Sequence, residues 1–319
     1  MALRVGTRGS ALALWQARHV KQRLEEAHPG LLVDIVILHT TGDRITDVPL
    51  AKIGDKGLFT KELDRALDSG QVDLCVHSLK DVPTRMADGL ALGAIMERED
   101  PRDAYVPGQG SAPSLADLPA GACLGTSSLR RRAQLLHARP DLRIEDLRGN
   151  LDTRLAKLAD GKYDAIILAL AGLRRLGHES AVTEVLGPPT WLPAVGQGAL
   201  AIAIREGDAA TAGFVAVLDH PPTRAAVGAE RAFLRTLEGG CQIPIGALAT
   251  VHGDALTLDG FVASIDGREY LRSSTTGPTA EAGRLGRRLA EELLADGAHR
   301  VLAEVRRLSA AELPHASAP

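Results

Sequence analysis

Twice in this chain a short apolar run ends on a Gly-Thr pair and passes straight into a helix, and that repeat limits the fold more than any other feature. Leu3 to Gly6 reads as a strand, Thr7-Arg8-Gly9-Ser10 as a turn, and Ala11 to Ala27 as a helix with Leu14, Trp15, Val20 and Leu24 on its apolar face. His28, Pro29 and Gly30 stop it. Ala122 to Gly125, Thr126 to Ser128 and the residues from Leu129 repeat the sequence of strand, turn and helix. Around these units, Leu31 to Leu38, Val72 to Val76, Leu90 to Ile95, Leu142 to Leu147 and Ala165 to Leu170 read as further strands, with a helix at Phe59 to Leu67. Strands that alternate with helices favour α/β layers with mainly parallel sheets.

Proline-bearing breaks divide the pattern. Met96 to Asp103 is charged and holds Pro101; Pro188-Pro189 and Leu192 to Gly198 form a second break. Ala199 to Ile204 then reads as a strand with no helix of its own unit ahead of it, so the chain crosses back to the first unit. His220-Pro221-Pro222 is a third linker, followed by a helix from Thr223 to Leu237, strands meeting near Asp266-Gly267, and a helix from Thr279 to about Leu294. The tail from Ala310 to Pro319 is expected to fray. A chain of 319 residues can bury more than one core. The expected domains are 1–97 with 199–218, 103–193, and a small C-terminal α/β domain over 222–312.

Both strand-to-helix turns carry features suited to an anion. Ser10 and Ser128 stand where N-caps belong, and either could be a plain cap. Arg8, Arg130 and Arg131, however, put positive charge at helix N-termini, against the helix macrodipole. Arg148 and Arg154 flank a turn, and Arg175 follows a further strand. Any one of these would be an ordinary solvated charge; together they suggest a cleft between two units for a ligand with several carboxylates, which the planar guanidinium fork suits. No phosphate-binding Gly-x-x-x-x-Gly-Lys loop occurs. With a net charge of −3, the chain has no global basic field to draw nucleic acid.

Two residues carry the chemistry. Cys241 lies in Glu238-Gly-Gly-Cys-Gln-Ile-Pro-Ile-Gly246, a loop whose paired glycines and proline present a thiol instead of burying it. No second cysteine or His-x-x-His stands at metal spacing and no histidine base is evident, so neither a metal site nor a thiol hydrolase is expected. Cys75 and Cys123 sit in apolar runs and read as core. Asp81 follows a buried strand in His77 to Pro83, beside Lys80, which would keep its carboxylate ionised. The polar stretch from Asp43 to Lys56 reads as a mobile loop. An odd count of three cysteines fits a reducing compartment, and neither a signal-peptide pattern nor a spanning apolar run occurs.

In order along residues 1 to about 250, TRGSALALWQA, KGLFTKEL, HSLKDVPT, GTSSLRRRAQL, LRGNLDTRL, PAVGQGA and GGCQIPIG resemble the porphobilinogen deaminase (hydroxymethylbilane synthase) family. The resemblance implies two lobes like those of periplasmic binding proteins plus a third domain. It also implies a transferase that joins four porphobilinogen molecules head to tail, releasing ammonia each time, to give hydroxymethylbilane for heme-type tetrapyrrole biosynthesis. By the same resemblance a dipyrromethane cofactor is held as a thioether to Cys241 and Asp81 is catalytic. Arg8, Arg130, Arg131, Arg148, Arg154 and Arg175 would then bind acetate and propionate groups, with Ser10, Lys80, Thr126, Ser128 and Gln197 as further contacts. Lys52 and Lys56 would belong to a mobile active-site cover. The implied partner is the small-molecule substrate, with neither nucleic acid nor membrane, for a monomeric cytoplasmic enzyme. The rival reading is a non-catalytic cytoplasmic module that binds polycarboxylates, which would need neither Cys241 nor Asp81.

Overall fold

The computed structural model describes residues 2–40, 60–237 and 243–311. The first lobe is built from β1 (Ala2–Thr7), α1 (Ala11–Ala27), β2 (Leu32–Ile37), α2 (Lys61–Asp68), β3 (Leu74–Ser78) and β4 (Leu90–Ile95). The second contains β5 (Asp103–Pro107), β6 (Cys123–Gly125), α3 (Leu129–Ala138), β7 (Arg143–Glu145), α4 (Leu151–Ala159), β8 (Ala165–Ala169), α5 (Leu170–Arg175) and β9 (Glu184–Leu186). β10 (Leu200–Arg205) and α6 (Ala209–Val215) return to the first lobe. The third part comprises α7 (Pro221–Thr236), β11 (Ile245–His252), β12 (Ala255–Ala263), β13 (Tyr270–Pro278), α8 (Ala282–Leu293) and α9 (His299–Ala311).

The α/β layering follows the sequence pattern, with one refinement. The lobe sheets run β2-β1-β3-β10-β4 and β7-β6-β8-β5-β9. β10 is antiparallel to both β3 and β4, and β5 to both β8 and β9, while β1 pairs in parallel with β2 and β3, and β6 with β7 and β8. Each sheet is thus mixed rather than mainly parallel, because one reversed strand is wedged into it. In each lobe that strand is the one that follows a crossing between lobes. The third part holds an antiparallel meander, β11-β12-β13.

Each lobe sheet is packed on both faces, as the continuous apolar runs of its central strands require. In β3, Leu74 and Val76 join Val20 and Leu24 of α1, while Cys75 between them joins Leu63 and Leu67 of α2 on the opposite face. β5 does the same in the second lobe, with Tyr105 among Leu124, Leu135 and Ile167, and Ala104 and Val106 among Ile166 and Leu168. Phe233, Leu258, Leu285 and Leu289 centre the third core. There α8 crosses α7 so closely that a Cβ on Gly286 would lie 2.2 Å from the Ala229 carbonyl oxygen.

Capping follows local rules. Ser10 Oγ accepts from Ala13 N at 3.3 Å, Ser128 Oγ from Arg131 N at 3.4 Å and Asn150 Oδ1 from Thr153 N at 2.9 Å. His220 caps α7, which starts at Pro221 in place of the expected Thr223. The strand β5 and the helix α9 were not anticipated: Asp103 and Pro107 disguise the first, and the second occupies the stretch leading into the expected frayed tail. The polar stretch 43–56, with Lys52 and Lys56, the Cys241 loop from Glu238 to Gln242 and the tail from Glu312 lie outside the described residues.

The two crossings meet the third part at one buried carboxylate. Glu230 of α7 is fully buried and accepts from Arg98 Nη1 at 2.6 Å, Gly196 N at 2.7 Å and Ala249 N at 2.9 Å. Gly198 lies against the other crossing, at φ +90, where a Cβ would fall 2.2 Å from the Glu99 carbonyl oxygen, so only glycine fits.

Candidate active site

Parallel pairing of β1 with β3 brings their C-terminal ends to one edge of the first lobe. A pocket there is lined by Arg8, Ser10, Gln16, Thr60, His77, Ser78 and Asp81. Gln16, polar within the buried face of α1, donates from Nε2 to Ser78 Oγ at 2.9 Å and ties the helix to the end of β3. Burial, with the nearby Arg8 charge, pushes the His77 imidazole down to about 4, so it is neutral at pH 7. Asp81 closes a 3₁₀ turn, Leu79–Asp81, and stands half-buried at the pocket.

The second lobe supplies the positive charge. Thr126 Oγ1 accepts from Ser128 N at 3.2 Å, and Ser128 caps α3, which carries Arg130 and Arg131. Both guanidinium groups, 5% and 6% exposed, converge on Asp103, which is 0% exposed. Arg130 Nη1 lies 2.7 Å from Asp103 Oδ2, and Arg131 Nη2 2.7 Å from Oδ1. Trp191 Nε1 at 2.8 Å and Gln197 Nε2 at 2.9 Å also donate to this carboxylate. Burial alone would push the Asp103 carboxyl up, but the charges and hydrogen bonds of the two arginines outweigh it and hold it far below the usual carboxylate range.

Arg130 and Arg131, expected to face a ligand, therefore already share a protein carboxylate. Two guanidinium groups against one carboxylate still leave net positive charge. Arg130 Nε is buried with no hydrogen-bond partner among the described residues, a donor that a ligand carboxylate could satisfy. Gln197 couples this cluster to the first lobe: its Oε1 accepts from Lys80 Nζ at 3.4 Å, and its Nε2 also donates to the Pro101 carbonyl at 2.7 Å. Burial pulls the Lys80 ammonium down to about 8, with Asp81 opposing that fall and Arg131 adding to it.

The remaining arginines are placed differently. Arg154 donates from Nε to the Gly149 carbonyl at 2.8 Å; burial and then Arg131 bring it down to about 10, while Asp81, in the other lobe, acts in the opposite direction. Arg148 is half-buried at the start of the same turn, and its carbonyl accepts from Lys157 Nζ at 3.0 Å. Arg175 reaches across the cleft, donating to the Gly198 carbonyl at 2.6 Å with its guanidinium carbon 5.7 Å from the centre of the Trp15 ring. Arg8, Ser10 and Asp81 thus share one pocket, Lys80, Gln197, Arg130 and Arg131 form one linked cluster, and Thr126 and Ser128 stand at the start of the helix that carries the two arginines, whereas Arg175 sits against the crossing between the lobes. The sequence reading missed Asp103, Gln16, Thr60, Ser78 and His77. A glutamine inside the apolar stripe of α1 was the one local signal among them.

The family models match in two consecutive pieces: residues 3–213 match the dipyromethane cofactor binding domain of porphobilinogen deaminase, and residues 225–295 its C-terminal domain. The chain belongs to the porphobilinogen deaminase family. It is 57% identical over 304 residues to the porphobilinogen deaminase of Moorella thermoacetica, covering 95% of this chain and 96% of that one. The Geobacter sulfurreducens porphobilinogen deaminase is 53% identical over 303 residues, with 95% and 94% covered. Among solved structures, an arginine-specific periplasmic binding protein of Salmonella typhimurium overlays with a TM-score of 0.39 at 15% identity, covering 68% of this chain and 91% of its own. The periplasmic VFT2 domain of Bordetella pertussis BvgS gives a TM-score of 0.41 at 14% identity, with 68% and 86% covered. In this porphobilinogen deaminase fold, the surplus positive charge around Asp103 and the open Arg130 donor suit a carboxylate-bearing dipyrromethane. No helix among the described residues is long and apolar enough to cross a membrane.

Proposed function

We infer that the protein joins four porphobilinogen molecules head to tail, with loss of ammonia at each step, and releases hydroxymethylbilane. The observation that carries the reading is the placement of Asp81. It stands in a pocket with Arg8 and Ser10, beside Lys80, and close enough to Arg154 of the other lobe to affect its titration. A half-buried carboxylate at the pocket, beside these cations, suits a reaction whose ligand is anionic at its rim and turns cationic at its reacting carbon.

Each residue has a task that follows from its surroundings. Arg8, Arg148 and Arg154, with Lys80, bind acetate and propionate groups of substrate and growing chain through charge-assisted hydrogen bonds. Arg130 and Arg131, fixed by Asp103, present a rigid positive wall, with Arg130 Nε as a free donor. Ser10, Thr126, Ser128 and Gln197 orient the rings. Asp81 stabilises positive charge as ammonia departs from the substrate's aminomethyl carbon, then accepts the proton released where the new carbon–carbon bond forms. Dipyrromethane, bound as a thioether to Cys241, supplies the primer on which the chain grows. Lys52 and Lys56 complete the site as part of its cover. The domains follow the boundaries 1–97 with 199–218, 103–193 and 222–312, a division supported by the separate cores around β3, β5 and Phe233.

Mass spectrometry of the intact active protein tests attachment: a mass excess of two linked pyrroles is expected, and it should vanish in Cys241→Ala. An unmodified mass in a preparation that converts porphobilinogen would overturn the Cys241 assignment. Asp81→Asn, loaded with preformed cofactor, should release bilane roughly a hundredfold or more slowly. Near-normal release would remove Asp81 from the chemistry.

A further inference from the structure

A guanidinium group outside the cleft lies against the turn that carries Asp81. Arg231, on α7 of the third part, is 7% exposed. It donates from Nη1 to the Val82 carbonyl at 3.1 Å and from Nη2 to the Pro83 carbonyl at 2.7 Å. Among the described residues no acidic side chain forms an ion pair with it, and its sequence neighbour Glu230 is committed to Arg98. A buried guanidinium without a counter-ion is costly. Here its positive charge is met by two successive peptide dipoles, immediately after Asp81.

The same helix face grips the turn through apolar contact. Val227, one turn before Arg231, packs with Leu79, Val82, Ile95, Ala199 and Ala201. On its other side the turn is fastened to the residue just before β10, where Leu79 N donates to the Ala199 carbonyl at 3.0 Å. Asp81 is thereby clamped between a first-lobe strand and a third-part helix. In the sequence that helix leads directly to the Cys241 loop.

Building on the catalytic role given to Asp81 above, we propose that Arg231 is a positioning residue for the reaction. By holding the Val82 and Pro83 carbonyls it fixes the Asp81 carboxylate relative to the helix that precedes the thiol. A shift of about 1 Å at a catalytic group can cost up to about a hundredfold in rate. Arg231 touches no reacting atom, so its effect passes through Asp81.

The test is a double-mutant cycle on the cofactor-loaded enzyme, following bilane release from porphobilinogen. Arg231→Met should lower kcat by roughly tenfold to a hundredfold, with KM within about threefold of wild type and the cofactor mass retained. In an Asp81→Asn background the same change should cost less than about threefold, because the group it positions has already lost its charge. Arg231→Lys, which keeps one cationic donor, should fall between wild type and Arg231→Met. Arg235→Met, an exposed neighbour on the same helix, should leave kcat unchanged. Equal losses in the two backgrounds, or full activity of Arg231→Met, would overturn the proposal. Should Arg231→Met not fold, Arg231→Lys decides the same comparison. Failure of the wild-type protein to consume porphobilinogen would instead refute the function proposed above.

Discussion

Replacing Asp103 by asparagine isolates the charge at the centre of the second lobe. The carboxylate is fully buried, and its two arginine partners are nearly so, which leaves little solvent to screen the loss. It accepts from Arg130 Nη1, Arg131 Nε and Nη2, Trp191 Nε1 and Gln197 Nε2. An asparagine amide offers one oxygen where the carboxylate offers two, and it turns a donor toward a guanidinium. Breaking a buried pair from one side costs about 3–5 kcal/mol, chiefly from the charge left behind. For a chain of 319 residues, with an unfolding entropy of about 0.7 kcal/mol/K, that corresponds to a fall in Tm of roughly 4–7 °C. Thermal unfolding followed by circular dichroism and by Trp191 emission would measure it. The pH dependence adds a second check. Asp103 has a depressed folded pKa, so its stabilisation is complete above the unfolded value near ~3.9 and is lost as pH falls below that. The gap between wild type and variant should therefore be constant from about pH 5 to 8 and narrow only below about pH 4. A fall in Tm of less than about 3 °C would refute the reasoning, for the guanidinium groups would then have no need of this carboxylate.

Lys80, drawn down to about 8 in the fold, is charged below that pH and neutral above it. If its ammonium binds a substrate carboxylate, KM should rise as pH passes upward through 8, and Lys80→Arg should remove that rise. Unlike Asp103, Lys80 opposes folding while charged, so its unfavourable contribution is relieved as pH rises from about 8 toward ~10.4. Gly286→Ala would drive a methyl group into the Ala229 carbonyl and should destabilise the third part by about 1–3 kcal/mol. Gly283→Ala on the same helix, which meets only the far end of Arg287 at 3.7 Å, should be neutral or slightly stabilising in the same melting assay.

What the sequence disclosed was what local rules govern. Ser10 and Ser128 cap helices because a hydroxyl beside an apolar period has a nearby backbone partner. The return of Leu200–Arg205 to the first lobe was legible because that strand had no helix ahead of it in its own unit. Asp103 was not legible. Its partners lie 27, 28, 88 and 94 residues away, so only the assembled fold turns a charged break into a buried counter-ion. That is also why the pairing of Arg130 and Arg131 with a protein carboxylate could not be read from their place at a helix N-terminus. Gln16 shows the intermediate case: its position on the buried face of α1 could be read, but its bond to Ser78, 62 residues on, could not.

The reversed strand in the first lobe has a consequence for synthesis. Among the described residues β4 has no neighbour in its sheet except β10, and Leu200 of β10 pairs with Ser78 of β3 across the entire second lobe. All described strands of the second sheet lie within Asp103–Leu186, so that sheet can close as soon as this stretch has left the ribosome. The N-terminal lobe, although translated first, must wait, with β3 unpaired on one side and β4 without a strand partner, until residues 200–205 emerge. The lobe made second is thus the first able to finish. A nascent chain halted just before Leu200 would hold a complete second sheet beside an N-terminal one with open edges, the kind of surface that recruits stray strands.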